Sequence, residues 1–263
     1  MGHWTLEQRG SVAVATFARP PRNLMSMAAM AELEDLVEAI AADDTTSVLV
    51  LTGGVPGYFV AHADVEDLLH LARGEPVEGD PMAWVRTLAR LASMPQPVVA
   101  AVNGQAWGGG CELALACTVR LAATSAHFAQ PEAAVGIIPG AGGTQRLARL
   151  VGAGPAAAMV LTGREIGAEE AHRVGLVEAV LPDDGFLDRV LEWVAPMAGF
   201  PRHAVTAAKR SILDGLGLPL AEGLAQELDH FLACLARPET ARLMEAVVER
   251  YRNAGPEERV RLD

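Results

Sequence analysis

Val102-Asn103-Gly104-Gln105-Ala106-Trp107-Gly108-Gly109-Gly110-Cys111-Glu112-Leu113-Ala114-Leu115-Ala116 is the stretch on which the fold turns. The apolar run 97–102 that leads into it has the composition of a strand buried on both faces. The strand enters a turn, and three consecutive glycines then open a helix of small residues. The first turn of a helix carries N–H groups without internal partners and the positive end of the helix dipole. Glycines there let an anion or a polarised carbonyl come close to the backbone. Glu112, just inside that turn, adds a carboxylate. From these residues alone two readings stand: a tight strand–helix junction with Glu112 favouring the dipole, or a ligand site.

Working outward, residues 47–52 form a second continuous apolar strand that ends at Gly53-Gly54. Residues 3–17 read as two short strands around Arg9-Gly10, and Arg19-Pro20-Pro21-Arg22-Asn23 interrupts the pattern. Ser26 is placed to cap a helix whose Met30, Leu33, Leu36, Val37 and Ile40 make an apolar stripe at helical spacing. Strands alternating with helices predict an α/β fold with a largely parallel sheet. The polar, breaker-rich segment 73–81 reads as a mobile loop between helices. From about residue 184 strands give way to helices over 184–198, 201–215, 219–236 and 238–252, punctuated by Pro201, Pro219 and Pro238.

The chain has 263 residues, 51% of them hydrophobic, which is enough to bury a large core, and only 5% aromatic, so that core is built from small aliphatics. A net charge of −12 argues against a general nucleic-acid or anionic-membrane binder. Cys111, Cys117 and Cys234 lie in no metal-binding spacing and read as free thiols of a reducing compartment. No apolar run is long enough to span a membrane, and no signal peptide is visible at the start; a cytoplasmic protein is expected.

Two further clusters carry chemistry. Gly57-Tyr58-Phe59-Val60-Ala61-His62-Ala63-Asp64-Val65 follows a buried strand, and Asp64 is placed as a helix N-cap. Gln130-Pro131-Glu132 is followed by Gly136-Ile137-Ile138-Pro139-Gly140-Ala141-Gly142-Gly143-Thr144-Gln145-Arg146. These glycines suggest a phosphate loop only superficially, since no Lys follows and the dinucleotide spacing fails at Gln145. The GxSxG, HExxH and Cys/His signatures of common hydrolases are missing.

Taken in order, Arg19-Pro20…Asn23, the loop 59–65, Gly104…Gly108-Gly109-Gly110-Cys111-Glu112-Leu113-Ala114, Gln130-Pro131-Glu132, the run 138–147, Leu161-Thr162-Gly163 and Gly175-Leu176-Val177 resemble the enoyl-CoA hydratase/isomerase family, the crotonases, over roughly residues 4–250. The resemblance implies a crotonase-like ββα superhelix with a C-terminal helical region. Residues 1–195 would form the acyl-CoA-binding and catalytic core, and 196–263 a helical trimerisation region of a homotrimer or homohexamer. It implies an acyl-CoA substrate, no metal, and no cofactor beyond the coenzyme A of the thioester. The N–H groups of Ala61 and Gly109 would form an oxyanion hole, with Glu112 as base toward water and Glu132 as proton donor to the α-carbon. Arg22, Ala61, Ala63, Asp64, Val65, Gly109, Pro131 and Gly140 would contact the CoA thioester. Retention of both glutamates implies hydration of a 2-enoyl-CoA. The alternatives are an isomerase or other reaction on the same scaffold, or a catalytically silent acyl-CoA-binding paralogue. Trp84, Met82 and Trp107 are candidates for the acyl pocket, although Trp84 and Met82 also suit a plain core. Arg250 and Arg252 suit either CoA phosphates or a solvated helix face.

The sequence departs from the family in two places. His62 stands where glycine is usual, which calls for a residue tolerating positive φ or for a side chain that reaches the thioester region. Arg242-Leu243 and Ala246-Val247 replace the usual Glu-Gly and Ala-Phe of the last helix.

Overall fold

Alternate side chains along the central strands enter two different cores, as the period of an extended chain requires. Leu49 and Leu51 of one strand, with Val98, Ala100 and Val102 of its neighbour, join one cluster. Val48, Val50, Val99 and Ala101 join a second on the opposite face. The computed structural model describes residues 2–255, 257 and 259–261. The chain divides into two units after Phe200.

The first unit begins with β1 (Trp4–Arg9), β2 (Val12–Phe17), α1 (Met27–Ala42), β3 (Val48–Gly53), β4 (Gly57–Val60), α2 (Val65–Ala72) and α3 (Ala83–Ser93). It continues through β5 (Val98–Val102), β6 (Gly104–Trp107), α4 (Gly109–Ala116), β7 (Val119–Ala123) and β8 (His127–Ala129). After a 3₁₀ turn at Glu132–Val135 come α5 (Gly143–Val151), α6 (Ala153–Thr162), β9 (Ile166–Gly167), α7 (Ala168–Arg173), β10 (Ala179–Leu181) and α8 (Phe186–Gly199). The strands form a six-stranded sheet ordered β1-β2-β3-β5-β7-β10 and a four-stranded sheet ordered β4-β6-β8-β9. Successive pairs β3–β4, β5–β6 and β7–β8 each place their first strand in the large sheet and their second in the small one before the chain turns helical. That is the expected ββα repeat. All neighbours in the large sheet are parallel except β1–β2.

Ser26 caps α1 by accepting from the Ala29 N–H, and Met30, Leu33, Val37 and Ile40 face the first core. The opposite sheet face is covered by Phe186, Val190 and Val194 of α8. Because α8 runs unbroken to Gly199, it passes through the expected boundary between residues 195 and 196, and the division falls after Phe200. The second unit is helical: α9 (Arg202–Gly215), α10 (Leu220–Leu235) and α11 (Pro238–Asn253). No helix among the described residues is long and apolar enough to cross a membrane.

Candidate active site

The glycines opening α4 have separate tasks. Gly108, its N-cap, has φ 50 and ψ −122, a backbone conformation open to glycine and costly for any other residue. A Cβ on Gly110 would stand 1.9 Å from the Val60 carbonyl oxygen, so α4 rests directly on the backbone of β4. A Cβ on Gly109 would meet Trp84, and would lie 3.2 Å from the Cβ of Ala63, so the loop after β4 and the start of α4 face each other.

Glu112 lies in the first turn of α4 and is 4% exposed. Its Oε1 accepts from the backbone N–H groups of Ala141 and Gly143, each at 2.7 Å. Those amides lead into α5, whose N-cap Gly142 has φ 110. The glycine-rich segment that superficially suggested a phosphate loop is therefore a cradle for a carboxylate of the same chain, the helix N-terminus serving as its anion site. Oε2 has no partner among the described residues. Burial raises the pKa of Glu112 above the usual carboxylate value, while the two amides and the charge of Arg146 oppose that rise.

Glu132 opens the 3₁₀ turn after Gln130-Pro131. The fully buried Gln130 turns its side-chain amide to both Glu132 oxygens, at 2.9 and 3.1 Å. Burial, reinforced by the negative charge of Glu112, pushes the Glu132 carboxyl up to about 7. A Cβ on Gly108 would stand 2.9 Å from Glu132 Oε1, which brings this carboxyl to the start of α4 and beside Glu112. Two carboxylates of different poise thus converge at one helix terminus, the arrangement that separates an acid from a base.

The backbone donors require a correction. The Ala61 N–H donates to the Asn23 carbonyl at 3.1 Å, and Ala61 is 1% exposed, so this group is committed to the fold. Ala63, two residues on, is half-buried, and its N–H has no partner among the described residues. The Gly109 N–H, at the first position of α4, likewise has none. The two unpartnered N–H groups of the facing loop and helix are those of Ala63 and Gly109, and Ala61 is not part of the pair.

The profile of the enoyl-CoA hydratase/isomerase family matches residues 7–254. The chain belongs to the enoyl-CoA hydratase/isomerase family. Among its curated relatives are the short-chain-enoyl-CoA hydratase of Clostridium acetobutylicum, 35% identical over 95% of this chain and 96% of that protein, and the 2,3-dehydroadipyl-CoA hydratase of Escherichia coli, 39% identical over 88% and 89%. The solved enoyl-CoA hydratase of Bacillus anthracis superposes with a TM-score of 0.88 at 33% identity, covering 94% of this chain and 96% of that one. The fold is the crotonase fold.

The other residues expected from the family's site fall into distinct roles. The two side-chain oxygens of Asp64 are taken by the Glu66 N–H, as an N-cap, and by Arg19 at 2.5 Å, so its side chain holds the loop and is spent before any ligand arrives. Val65 begins α2 and is exposed. Pro131 is half-buried, Gly140 is exposed, and Arg22 is exposed in the turn after β2 with no partner among the described residues. Trp84 is buried against Gly109, whereas Met82 is exposed and does not join the core. Trp107 sits half-buried on β6 with its ring edge-on to His127. His62 does not adopt positive φ; among the described non-glycine residues only Asn23 does, at 54.

Sequence reasoning missed Gln130 as the partner of Glu132, Arg146 as the charge near Glu112, and Asn23 as the hub of the loops. The Asn23 side chain donates to the Phe17 and Phe59 carbonyls and accepts from the Arg19 N–H. An asparagine closing a Pro-Pro turn was the available signal, since asparagine tolerates the left-handed region. Among the described residues no group of three His, Cys, Asp or Glu side chains is arranged to hold a metal ion.

Proposed function

We propose that this member of the family is an enoyl-CoA hydratase, adding water to 2-enoyl-CoA thioesters to give 3-hydroxyacyl-CoA. The observation that carries the reading is the unequal pair of carboxylates: Glu112, anchored through one oxygen with the other unspent, and Glu132, poised near neutrality. Supporting it are the unpartnered N–H groups of Ala63 and Gly109 and the hydratases among the relatives.

In this reading the thioester oxygen accepts from Ala63 and Gly109. Glu112 Oε2 takes a proton from water as the water oxygen bonds to Cβ. The π electrons move to the thioester oxygen as an enolate, and Glu132 delivers its proton to Cα as the enolate collapses. Water has then added across the double bond, and proton exchange restores the pair. Donors fixed where charge develops supply about 3–4 kcal/mol each. The acid and base assist by roughly 10²–10⁴-fold. Coenzyme A enters with the substrate, and the reading calls for no separate cofactor. Arg22, at the turn after β2, is a candidate for the CoA phosphates, and the helical second unit for assembly into a trimer or hexamer.

Progress curves with crotonyl-CoA and longer 2-enoyl-CoAs test the assignment: disappearance of the conjugated thioester with formation of the 3-hydroxy product is expected. A 3-enoyl-CoA converted to its 2-enoyl isomer and carried no further would place the chain among the isomerases. Binding without turnover would make it a silent paralogue.

A further inference from the structure

We propose that His62 is a positioning residue for the oxyanion donor Ala63 N–H, an inference that rests on the reading of the site given above. The loop after β4 is held on one side by the backbone of Met25. The Met25 N–H donates to the His62 carbonyl at 2.9 Å, and the Asp64 N–H donates to the Met25 carbonyl at 2.8 Å. In an extended segment bonded through the residues on either side, the N–H and C=O of the middle residue point the other way. For Ala63 that is away from Met25.

On that other side no backbone group among the described residues holds Ala63. Its carbonyl instead accepts from the Nδ1–H of His62 at 2.7 Å, a bond that also sets which ring nitrogen carries the proton. The donor N–H and this carbonyl belong to successive peptide units joined at the Ala63 Cα. Met25 holds the first through the His62 carbonyl and the second through the Asp64 N–H, and the imidazole adds a second hold on the unit that follows the donor. Glycine, usual at this position in the family, has no side chain to make that bond. His62 stands on the side of the loop near the carboxylates. Its Cβ is 3.9 Å from the point a Cβ on Gly108 would occupy, and Glu132 Oε1 is 2.9 Å from that same point. Because an oxyanion donor acts by being fixed before charge develops, a bond that fixes the peptide next to the donor, and with it the Ala63 Cα that the two units share, acts on the transition state more than on binding.

The test measures kcat and KM for crotonyl-CoA, together with the red shift of a bound 2,4-dienoyl-CoA, whose carbonyl polarisation reports on the donors directly. His62→Ala is expected to lower kcat about 5- to 30-fold, less than the roughly 10²–10³ for outright loss of a donor, with KM changed by less than about twofold. The red shift should shrink in parallel. His62→Asn, whose side-chain N–H reaches the same carbonyl, should restore both. Should His62→Ala not fold, His62→Gly reads the same way. A full red shift in His62→Ala, or equal impairment of the alanine and asparagine variants, overturns the role of His62. Wild-type protein that binds the dienoyl-CoA with no red shift overturns the oxyanion reading itself, and His62 with it.

Discussion

What a carboxylate does depends on how its two oxygens are spent. Glu112 spends Oε1 on two amides and keeps Oε2, which suits a base; Glu132 sits against a neutral amide in a site that disfavours its charge, which suits an acid. Replacing either with glutamine preserves size and removes the proton function. Each variant is expected to lose about 10²–10⁴-fold in kcat for hydration, read from the decay of the enoyl thioester absorbance. An isomerase would tolerate one of the two changes. The raised carboxyl of Glu132 fixes the sign of the pH dependence. It must be protonated to hydrate, so hydration should fall as pH rises through about 7. Dehydration of the 3-hydroxy product needs it ionised and should rise through the same window. Stability follows by linkage: the unfolded chain loses this proton near 4.5, so between there and about 7 the folded state holds more protons and stability declines as pH rises. Glu132→Gln should flatten that part of a denaturation series taken against pH.

At the scale of elements, the start of α4 was legible because its requirements are local. A buried strand, a turn and three glycines mark a helix N-terminus pressed against a neighbour, and the neighbour proves to be the backbone of β4. Gly110→Ala should force the two apart and cost at least about 1–3 kcal/mol by denaturant unfolding, the price of an overpacked core position. The loop after β4 was only half legible. Its composition marks it as part of the site, but which of its N–H groups is left free depends on partners outside it: the Ala61 N–H turns toward the 23–25 segment, whereas that of Ala63 turns away from it. What disqualifies Ala61 is the carbonyl of Asn23, brought in from a turn far away in the chain. Arg146 was hidden for the same reason, since Glu112 belongs to another element; Gln130 was hidden because nothing in a local pattern says that its amide turns back on Glu132. The three helices after residue 200 were readable to within a residue or two because prolines mark their starts.

For the whole molecule, the aromatic-poor composition predicted a core built largely of aliphatics, and the alternation of strands with helices predicted a largely parallel sheet, as found. It said nothing of assembly. On α10 the side chains of Leu220, Leu224, Leu228 and Phe231 recur at helical spacing and all are more than half exposed. An apolar stripe of this kind suits the assembly proposed for the helical unit. Sedimentation should show a trimer or hexamer, and Leu224→Asp with Leu228→Asp should shift it toward monomer; a monomeric wild type would refute this assembly. The central claim is hydration by the Glu112–Glu132 pair. Its most direct measurement follows 2-enoyl-CoAs of several chain lengths by NMR in deuterated water, with the wild type and both glutamine variants. The wild type should form a 3-hydroxyacyl-CoA bearing one solvent deuteron at the α-carbon, and either variant scarcely any. Recovery of a 3-enoyl-CoA, or of unchanged substrate at every chain length from folded wild-type protein, would contradict it.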